Sequence, residues 1–322
     1  MRIYRSLEEI PSDFGPSALS VGNFDGVHFG HRRILRRVRE IAAERGWKAS
    51  VLTFDPHPTR VVAPARTPPL LTEPERRAAL MREEGIEQVL ILPFTPELAM
   101  LTPEEFVAQL LVKALGARAV LVGDNFRFGH RQAGNVAVLA ELGSKYGFAA
   151  EIVPAVAWRG RVVSSSGIRE LIRAGKVSLG TRLLQHAYGL EGEVVSGHGI
   201  GARQTVPTLN LATRAEVIPA SGVYITRTRD SADGREWNSI TNIGYRPTFG
   251  ASDRLTIETY LLDALSGDTP QRIRVEFFRR VREERKFDSP EALREQILKD
   301  VRTAQAYFRR AKAWTEQKCI SS

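Results

Sequence analysis

Cysteine is almost absent: one residue, Cys319, in 322. A single thiol excludes an intramolecular disulfide framework and a cysteine-based zinc site, and it suits a reducing compartment. No run approaches the ~18 uninterrupted apolar residues that a membrane-spanning helix needs. The opening segment, MRIYRSLEEIPSDFG, carries two glutamates and a proline where a signal peptide has its apolar region. Secretion is therefore not expected, and the expected compartment is the cytoplasm. Neither a GxxxxGKS/T phosphate loop nor a GxGxxG turn is present; Gly197, Gly199 and Gly201 form only a GxGxG run with no helical pattern after it. A bound nucleotide must be held some other way.

What is there is the composition of a globular protein, 43% hydrophobic and 26% charged, long enough for two domains that each bury a core. Lys and Arg number 46 against 37 Asp and Glu, a net charge of +9. Such an excess suits nucleic acid, but equally an enzyme with anionic substrates. The basic residues are scattered in RR and RxxR pairs along amphipathic helices, as on a solvated face. Aromatics, at 8%, do not cluster on adjacent strands as stacking platforms do. Neither a nucleic-acid nor a membrane partner is expected; oligomeric state is not legible.

The most informative stretch is Ser20 to His31, SVGNFDGVHFGH. An apolar run, Ala18 to Val21, stops at Gly22 and Gly26, and Ile34, Leu35, Val38, Ile41 and Ala42 then recur at helical spacing. Strand, glycine turn and helix leave unpaired N–H groups at the helix start, where the macrodipole favours anions. His28 and His31, three residues apart, can point at one phosphate from a single helical turn and donate to charge developing there.

Through the rest of the first half, short apolar runs (49–54, 89–92, 119–122, 149–153) alternate with helical patterns. Thr72-Glu-Pro-Glu75 reads as a capping box opening a helix to about Glu84, and Thr102-Pro103-Glu104-Glu105 as a stronger one, stopping at Gly116. This alternation predicts a parallel, doubly wound α/β sheet with ligands at the carboxyl ends of its strands. Beyond Ala187-Tyr188-Gly189-Leu190 the texture changes. Runs at hairpin spacing (193–195, 223–228, 237–243, 255–262, 273–278) predict an antiparallel sheet or small barrel. A long terminal helix follows, with Ser289 as cap, Pro290 at its first position and a core stripe of Leu293, Ile297, Val301, Ala304 and Phe308. The predicted domains are 1–186 and 187–322.

The run Gly22, Phe24, Asp25, Gly26, His28, Gly30 and His31 resembles the HxGH signature of the nucleotidyltransferases. At full length it resembles that of the bacterial bifunctional riboflavin kinase and FMN adenylyltransferase family. TFDPHP, Thr53 to Pro58, and VGDNFRFGHRQAG, Val122 to Gly134, are similar to that family's later loops. SSSGIRELIRAG, Ser164 to Gly175, is similar to its phosphate-binding helix start, with Gly167 where many relatives have arginine. The resemblance implies ATP contacts at Gly22, Phe24, Asp25, Gly26, Asn125, Ser164, Ser165 and Ser166, with Arg169 over the leaving pyrophosphate. It also implies flavin contacts at Asp55, His57, Arg127 and Phe128.

The second half resembles the riboflavin kinase domain, a six-stranded barrel with a C-terminal helix. Pro207-Thr208-Leu209-Asn210 is similar to the family's PTAN motif, whose Thr hydroxyl and Asn amide hold magnesium and the ATP phosphates. Hard oxygen ligands suit magnesium. Gly201 opens this segment and is assigned to ATP with it. NIGYRPTFG, Asn242 to Gly250, and VRxExxF, Val281 to Phe287, match flavin-side segments, which implies contacts at Arg246, Arg282 and Phe287. Glu258 is the expected base. Ile257, Thr259 and Leu261 share one strand face and Glu258 the other, and a carboxylate on an inward face is costly without a task. The family places a glutamate here to deprotonate the ribityl 5′-hydroxyl. Ala202, Thr205, Val206 and Leu209 depart from the family's GRxxGFPTAN. The implied enzyme uses ATP and magnesium to phosphorylate riboflavin to FMN and adenylylates FMN to FAD. The alternative is adenylyl transfer alone, the barrel being a kinase-inactive flavin-binding module.

Overall fold

The computed structural model describes residues 1–195, 208–248, 251–265 and 267–320, and their side chains except those of 246–248, 251–254 and 312–320. The chain divides into two units, Met1–Gly167 and Ile168–Ser322.

In the first unit β1 (Arg2–Tyr4) is a strand outside the expected apolar runs, and those runs become β2 (Ser17–Val21), β3 (Lys48–Phe54), β4 (Gln88–Leu92), β5 (Ala117–Gly123) and β6 (Ala149–Val153). They form one parallel sheet in the order β1-β4-β3-β2-β5-β6. The connections carry α1 (Phe29–Arg45), α2 (Pro58–Val62), α3 (Pro74–Glu83), α4 (Pro96–Met100), α5 (Pro103–Glu105, continued as π-helical turns over Phe106–Ala114) and α6 (Val136–Tyr146). β2 and β4 are buried along their whole length, as strands covered on both faces are. Alternate strand residues serve two cores. Ala18, Val51 and Val89 pack with Leu35 and Val38 of α1 and Met81 of α3. Leu19, Leu52 and Leu90 pack with Phe106, Leu110 and Leu139 on the other side.

The chain steps outward from β2 to β3 and β4, then adds β5 and β6 on the far side of β2. The order therefore reverses between β2 and β5, and ligands of such sheets sit at the carboxyl ends of the strands flanking that reversal. The glycine turn follows β2 there, and the loop 124–135 follows β5.

The Thr102 capping box forms in full, through side chain and backbone. The one expected at Thr72 does not: α3 starts at Pro74 with Glu73 as an N-cap that makes no side-chain bond. Thr72 Oγ1 instead donates to Asp25 (3.2 Å) and accepts from Gly26 N (3.0 Å). A buried carboxylate is the stronger acceptor and takes the hydroxyl from the helix end.

A small hairpin, β7 (Ala157–Trp158) and β8 (Arg161–Val162), precedes α7 (Ser165–Arg173) and α8 (Val177–Leu184). In the second unit β9 (Tyr188–Val195), β10 (Thr208–Thr213), β11 (Gly222–Asp230), β12 (Glu236–Thr248), β13 (Ala251–Leu261) and β14 (Arg272–Arg282) close into an antiparallel barrel, in the order β10-β13-β12-β11-β14-β9. Its interior holds apolar residues such as Leu190, Leu209, Val275 and Phe277 beside a ladder of buried hydroxyls. Thr226 bonds Ser239 and Thr241 (2.8 Å each), Thr228 bonds Ser239 (2.9 Å) and Thr241 bonds Thr259 (2.9 Å).

The terminal helix α9 (Pro290–Ile320) starts with Ser289 Oγ accepting from Ala292 N at 3.2 Å. It packs on the outside of the barrel through Val301, Ala304, Tyr307 and Phe308, against Val223, Ile225 and Ile240. Leu293 does not join the expected stripe; it is 39% exposed. The early turns of α9 are held by polar contacts instead, Asp300 accepting from Arg282 Nε at 2.9 Å and Gln296 from Arg285 Nη2 at 2.5 Å.

Candidate active sites

The N-terminal site is built where β2 ends. Phe24, Gly26 and Val27 have positive φ (51°, 81° and 38°). Left-handed backbone at two non-glycine residues, one β-branched, persists only where the surroundings hold it. Asp25 does much of the holding. Its buried carboxylate accepts from Leu71 N (3.0 Å) and Thr72 N (3.0 Å), bracing the turn against the loop before α3.

His28 then caps α1, its Nδ1 accepting from His31 N at 3.4 Å. The two imidazoles stack with centroids 3.7 Å apart and planes at 15°, and Phe24 lies edge-on to His31 at 5.2 Å. A Cβ on Gly30 would lie 3.2 Å from the His28 ring, so glycine there leaves the imidazole its place. Burial, then the nearby His28 and Arg77, hold His31 well below the usual imidazole range, which keeps it neutral at pH 7. Its Nδ1 is buried with no hydrogen-bond partner. Stacked rings and helix-start N–H groups together make a donor-rich anion seat.

Three further segments meet this turn or flank it. Ser165, the first residue of α7, donates to Asp25 O (2.9 Å), and Ser164 Oγ accepts from Gly167 N (3.3 Å). Ser166 is exposed; Arg169 is buried one turn later, in the second unit. After β3, His57 caps α2 with Nδ1 and brings Nε2 to 3.0 Å from the Asn23 amide, while Asp55 is exposed. After β5, Asn125 and Arg127 are exposed, and Phe126 stacks on Phe128 at 5.4 Å. Phe128 itself is buried against Phe106, centroids 5.7 Å apart. Gly129 adopts φ 71° and ψ 176°, a region essentially closed to other residues.

In the barrel, strand register sets Asn210, Glu258 and Asn242 in one row across β10, β13 and β12. Directly paired residues share a face, and Thr208, two residues before Asn210, shares it too. Ile240 lies on that same face and packs under α9, so the face is the outer one. Glu258 is therefore half-buried on the barrel wall, not inward as the sequence suggests. The interior positions of its strand belong to Ile257, Thr259 and Leu261. Leu209, one of the departures from the family pattern, points into that interior and does not share the face of Thr208 and Asn210. Arg282 is bound to Asp300, and its guanidinium lies 5.6 Å from the centroid of the Phe287 ring. Gly201, Ala202, Thr205, Val206 and the side chain of Arg246 lie outside the described residues.

Thr208, Asn210 and Glu258 present hard oxygen donors, a set that fits magnesium and not a soft or imidazole-seeking metal. No group of three His, Cys, Asp or Glu that could hold a metal occurs among the described residues. Sequence reasoning takes Asn242 as the start of a loop and passes over Asn23 and Arg77. Strand pairing would find the first; the contacts of the other two span 34 and 54 residues and have no local signature.

A family model described as FAD synthetase matches residues 10–167, and one described as riboflavin kinase matches residues 184–308. The bifunctional riboflavin kinase/FMN adenylyltransferase of Pseudomonas fluorescens is 35% identical over 306 residues, 95% of this chain and 97% of that one. The Escherichia coli K12 protein of the same description is 33% identical over 290 residues, 90% of this chain and 92% of that one. A solved structure described as a macrolide-efflux protein from Streptococcus pneumoniae is 26% identical, with a TM-score of 0.82 over 94% of this chain and 98% of that one. No helix among the described residues is long and apolar enough to cross a membrane. Identity at this level along nearly the whole length, with a different family model on each half, assigns the chain to the bifunctional riboflavin kinase/FMN adenylyltransferase family.

Proposed function

We propose that this chain makes FAD from riboflavin in two steps, the barrel phosphorylating riboflavin to FMN and the sheet domain adenylylating FMN, with the functional border at 186/187. The observation that carries this reading is the separation of two chemistries. A stacked histidine pair sits at the reversal of the parallel sheet, and a carboxylate between two carboxamides sits on the barrel wall. The substrates are small molecules, no nucleic acid takes part, and the enzyme works in the cytoplasm.

In the kinase step Glu258 accepts the proton of the ribityl 5′-hydroxyl as that oxygen attacks the γ-phosphorus of ATP; the bond to the bridging oxygen breaks and ADP leaves. Asn210 and Asn242 flank the carboxylate and orient it. Thr208 and Asn210 would hold magnesium, which when bound neutralises phosphate charge. Gly201 contributes to the ATP seat, and Arg246, Arg282 and Phe287 to the flavin side.

In the second step an FMN phosphate oxygen attacks the α-phosphorus of ATP, the α–β bridge breaks and pyrophosphate leaves. The nucleophile is already an anion, so no base is required; alignment and donors carry the rate. His28 and His31 donate to the α-phosphate and the leaving group, with a ligand atom becoming the partner that His31 Nδ1 lacks. The turn Gly22, Phe24, Asp25 and Gly26, with Asn125, Ser164, Ser165 and Ser166, forms the ATP seat, and Arg169 serves the pyrophosphate. Asp55, His57, Arg127 and Phe128 shape the flavin side. Adenylyl transfer alone fits less well, because the Glu258 row is intact and Leu209 leaves its face unaltered.

The test is a time course. Purified protein is incubated with ATP, magnesium and either riboflavin or FMN, and the flavins are separated by chromatography. FMN followed by FAD is expected from riboflavin; FAD from FMN with riboflavin untouched would leave only the adenylyltransferase.

A further inference from the structure

Arg77, on the second turn of α3, is 2% exposed, and no ion pair reaches it among the described residues. Every hydrogen-bond partner it has is a neutral oxygen. Nη1 donates to Asn23 O (2.5 Å) and Thr53 Oγ1 (3.4 Å), and Nη2 to Phe54 O (3.5 Å). Thr53 Oγ1 also donates to Asn23 O at 3.3 Å, so two donors converge on one carbonyl. The Nε is buried without a partner. Burying a guanidinium with no carboxylate in contact is expensive, and replacing it by an apolar side chain would ordinarily be favourable. Its retention calls for a task.

The placement suggests one. Asn23 stands inside the glycine turn, and Phe54 ends β3 just before the DPHP loop, so the fork spans the ends of two strands that carry site loops. The charged groups around it are Asp25, Asp55 and Glu75, which act on it through space without touching it, and His31, which its charge disfavours when protonated. His28 is the other group acting on His31.

We propose that Arg77 is a positioning residue for adenylyl transfer: its fork locks the Asn23 and Phe54 carbonyls, and its buried positive charge, beside the glycine turn, draws in the triphosphate. This rests on the N-terminal unit being the adenylyltransferase. The fork keeps the turn's carbonyls pointed away from an incoming anion. The charge adds attraction that a hydrogen bond to a neutral side chain could not supply.

Arg77→Met and Arg77→Lys separate fork from charge. For each protein, FAD formation from FMN is measured across pH and ATP concentration, with riboflavin phosphorylation as the control for an intact second unit. The His31 imidazole titration is followed by NMR in the free protein. Arg77→Met is expected to raise KM for ATP by about tenfold and to move the His31 titration upward. Arg77→Lys is expected to restore the titration but not kcat, because one ammonium cannot span both carbonyls. The proposal is overturned if both variants lose activity and melting temperature in parallel with His31 titrating as in the parent, or if Arg77→Met keeps the parent KM and kcat. Should the parent itself form no FAD from FMN, the reading of the unit fails instead. If Arg77→Met does not fold, Arg77→Lys still decides, since a residue needed only for packing would not show a kcat loss at unchanged His31 titration.

Discussion

Protonating His31 in the folded chain means charging a half-buried ring whose Nδ1 is shut off from water, beside His28 and Arg77, so its folded pKa lies well below the value near 6.5 of an unfolded chain. As pH falls through about 6.5, the unfolded chain takes up a proton that the folded one refuses. Stability is therefore lost toward acid, with a slope of up to ~1.4 kcal/mol per pH unit. Urea unfolding at pH 7.5 and 5.5 should show this loss in the parent and a smaller one in His31→Asn; equal slopes would mean the ring is not held neutral. At the barrel site, Glu258→Gln keeps the shape and removes the base. FMN formation should fall by about 10² to 10⁴, with FAD formation from FMN unchanged. The histidines and the Thr208–Asn210 pair were legible because their chemistry lies within a few adjacent residues. Glu258 was legible as a residue but not in its face. Alternation separates Glu258 from Thr259, yet only the closed barrel and α9 decide which of them is inside. Arg77 was not legible at all, since its role depends on carbonyls 23 and 54 residues away.

At the scale of elements, the loop after β5 depends on Gly129. A Cβ there would lie 2.7 Å from the backbone nitrogen of Pro103, and the backbone already occupies a glycine-only region. Gly129→Ala should cost about 1 to 3 kcal/mol and slow FAD formation, because the loop presenting Asn125 and Phe126 would shift. An unchanged melting temperature and rate would contradict that. On α9 the contrast lies within one helix. Ala304 is fully buried against the barrel, so Ala304→Leu should destabilise by about 1 to 3 kcal/mol, whereas Leu293→Ser should stay within about 0.5 kcal/mol. Thermal melts of the two variants check this directly. The periodicity of α9 was correct as a helix and for Val301, Ala304 and Phe308 of the core stripe, but not for Leu293, because apolar spacing does not reveal where a helix meets its partner. The two Thr-initiated helices teach the same lesson: Thr102 caps as its pattern says, while Thr72 is claimed by Asp25, 47 residues away.

At the scale of the whole molecule, the change from alternating strands and helices to hairpin spacing made the division into a parallel sheet and an antiparallel barrel readable. Periodicity missed β1, β7, β8 and β10, all but the last only two or three residues long; on β10 the motif, not the pattern, drew the eye. The hydroxyl ladder inside the barrel was equally hidden, since its members come together only through pairing of β11, β12 and β13. The central claim is that residues 1–186 and the barrel carry separate reactions joined by free FMN. His28→Ala should lose about 10² to 10³ in FAD formation and still make FMN; Glu258→Gln should do the reverse. The most direct measurement mixes the two variants with riboflavin, ATP and magnesium and follows the flavins over time. The account predicts that neither variant alone makes appreciable FAD from riboflavin, that His28→Ala alone accumulates FMN, and that the mixture makes FAD. A mixture that stalls at FMN, or a His28→Ala protein that makes no FMN, would contradict it.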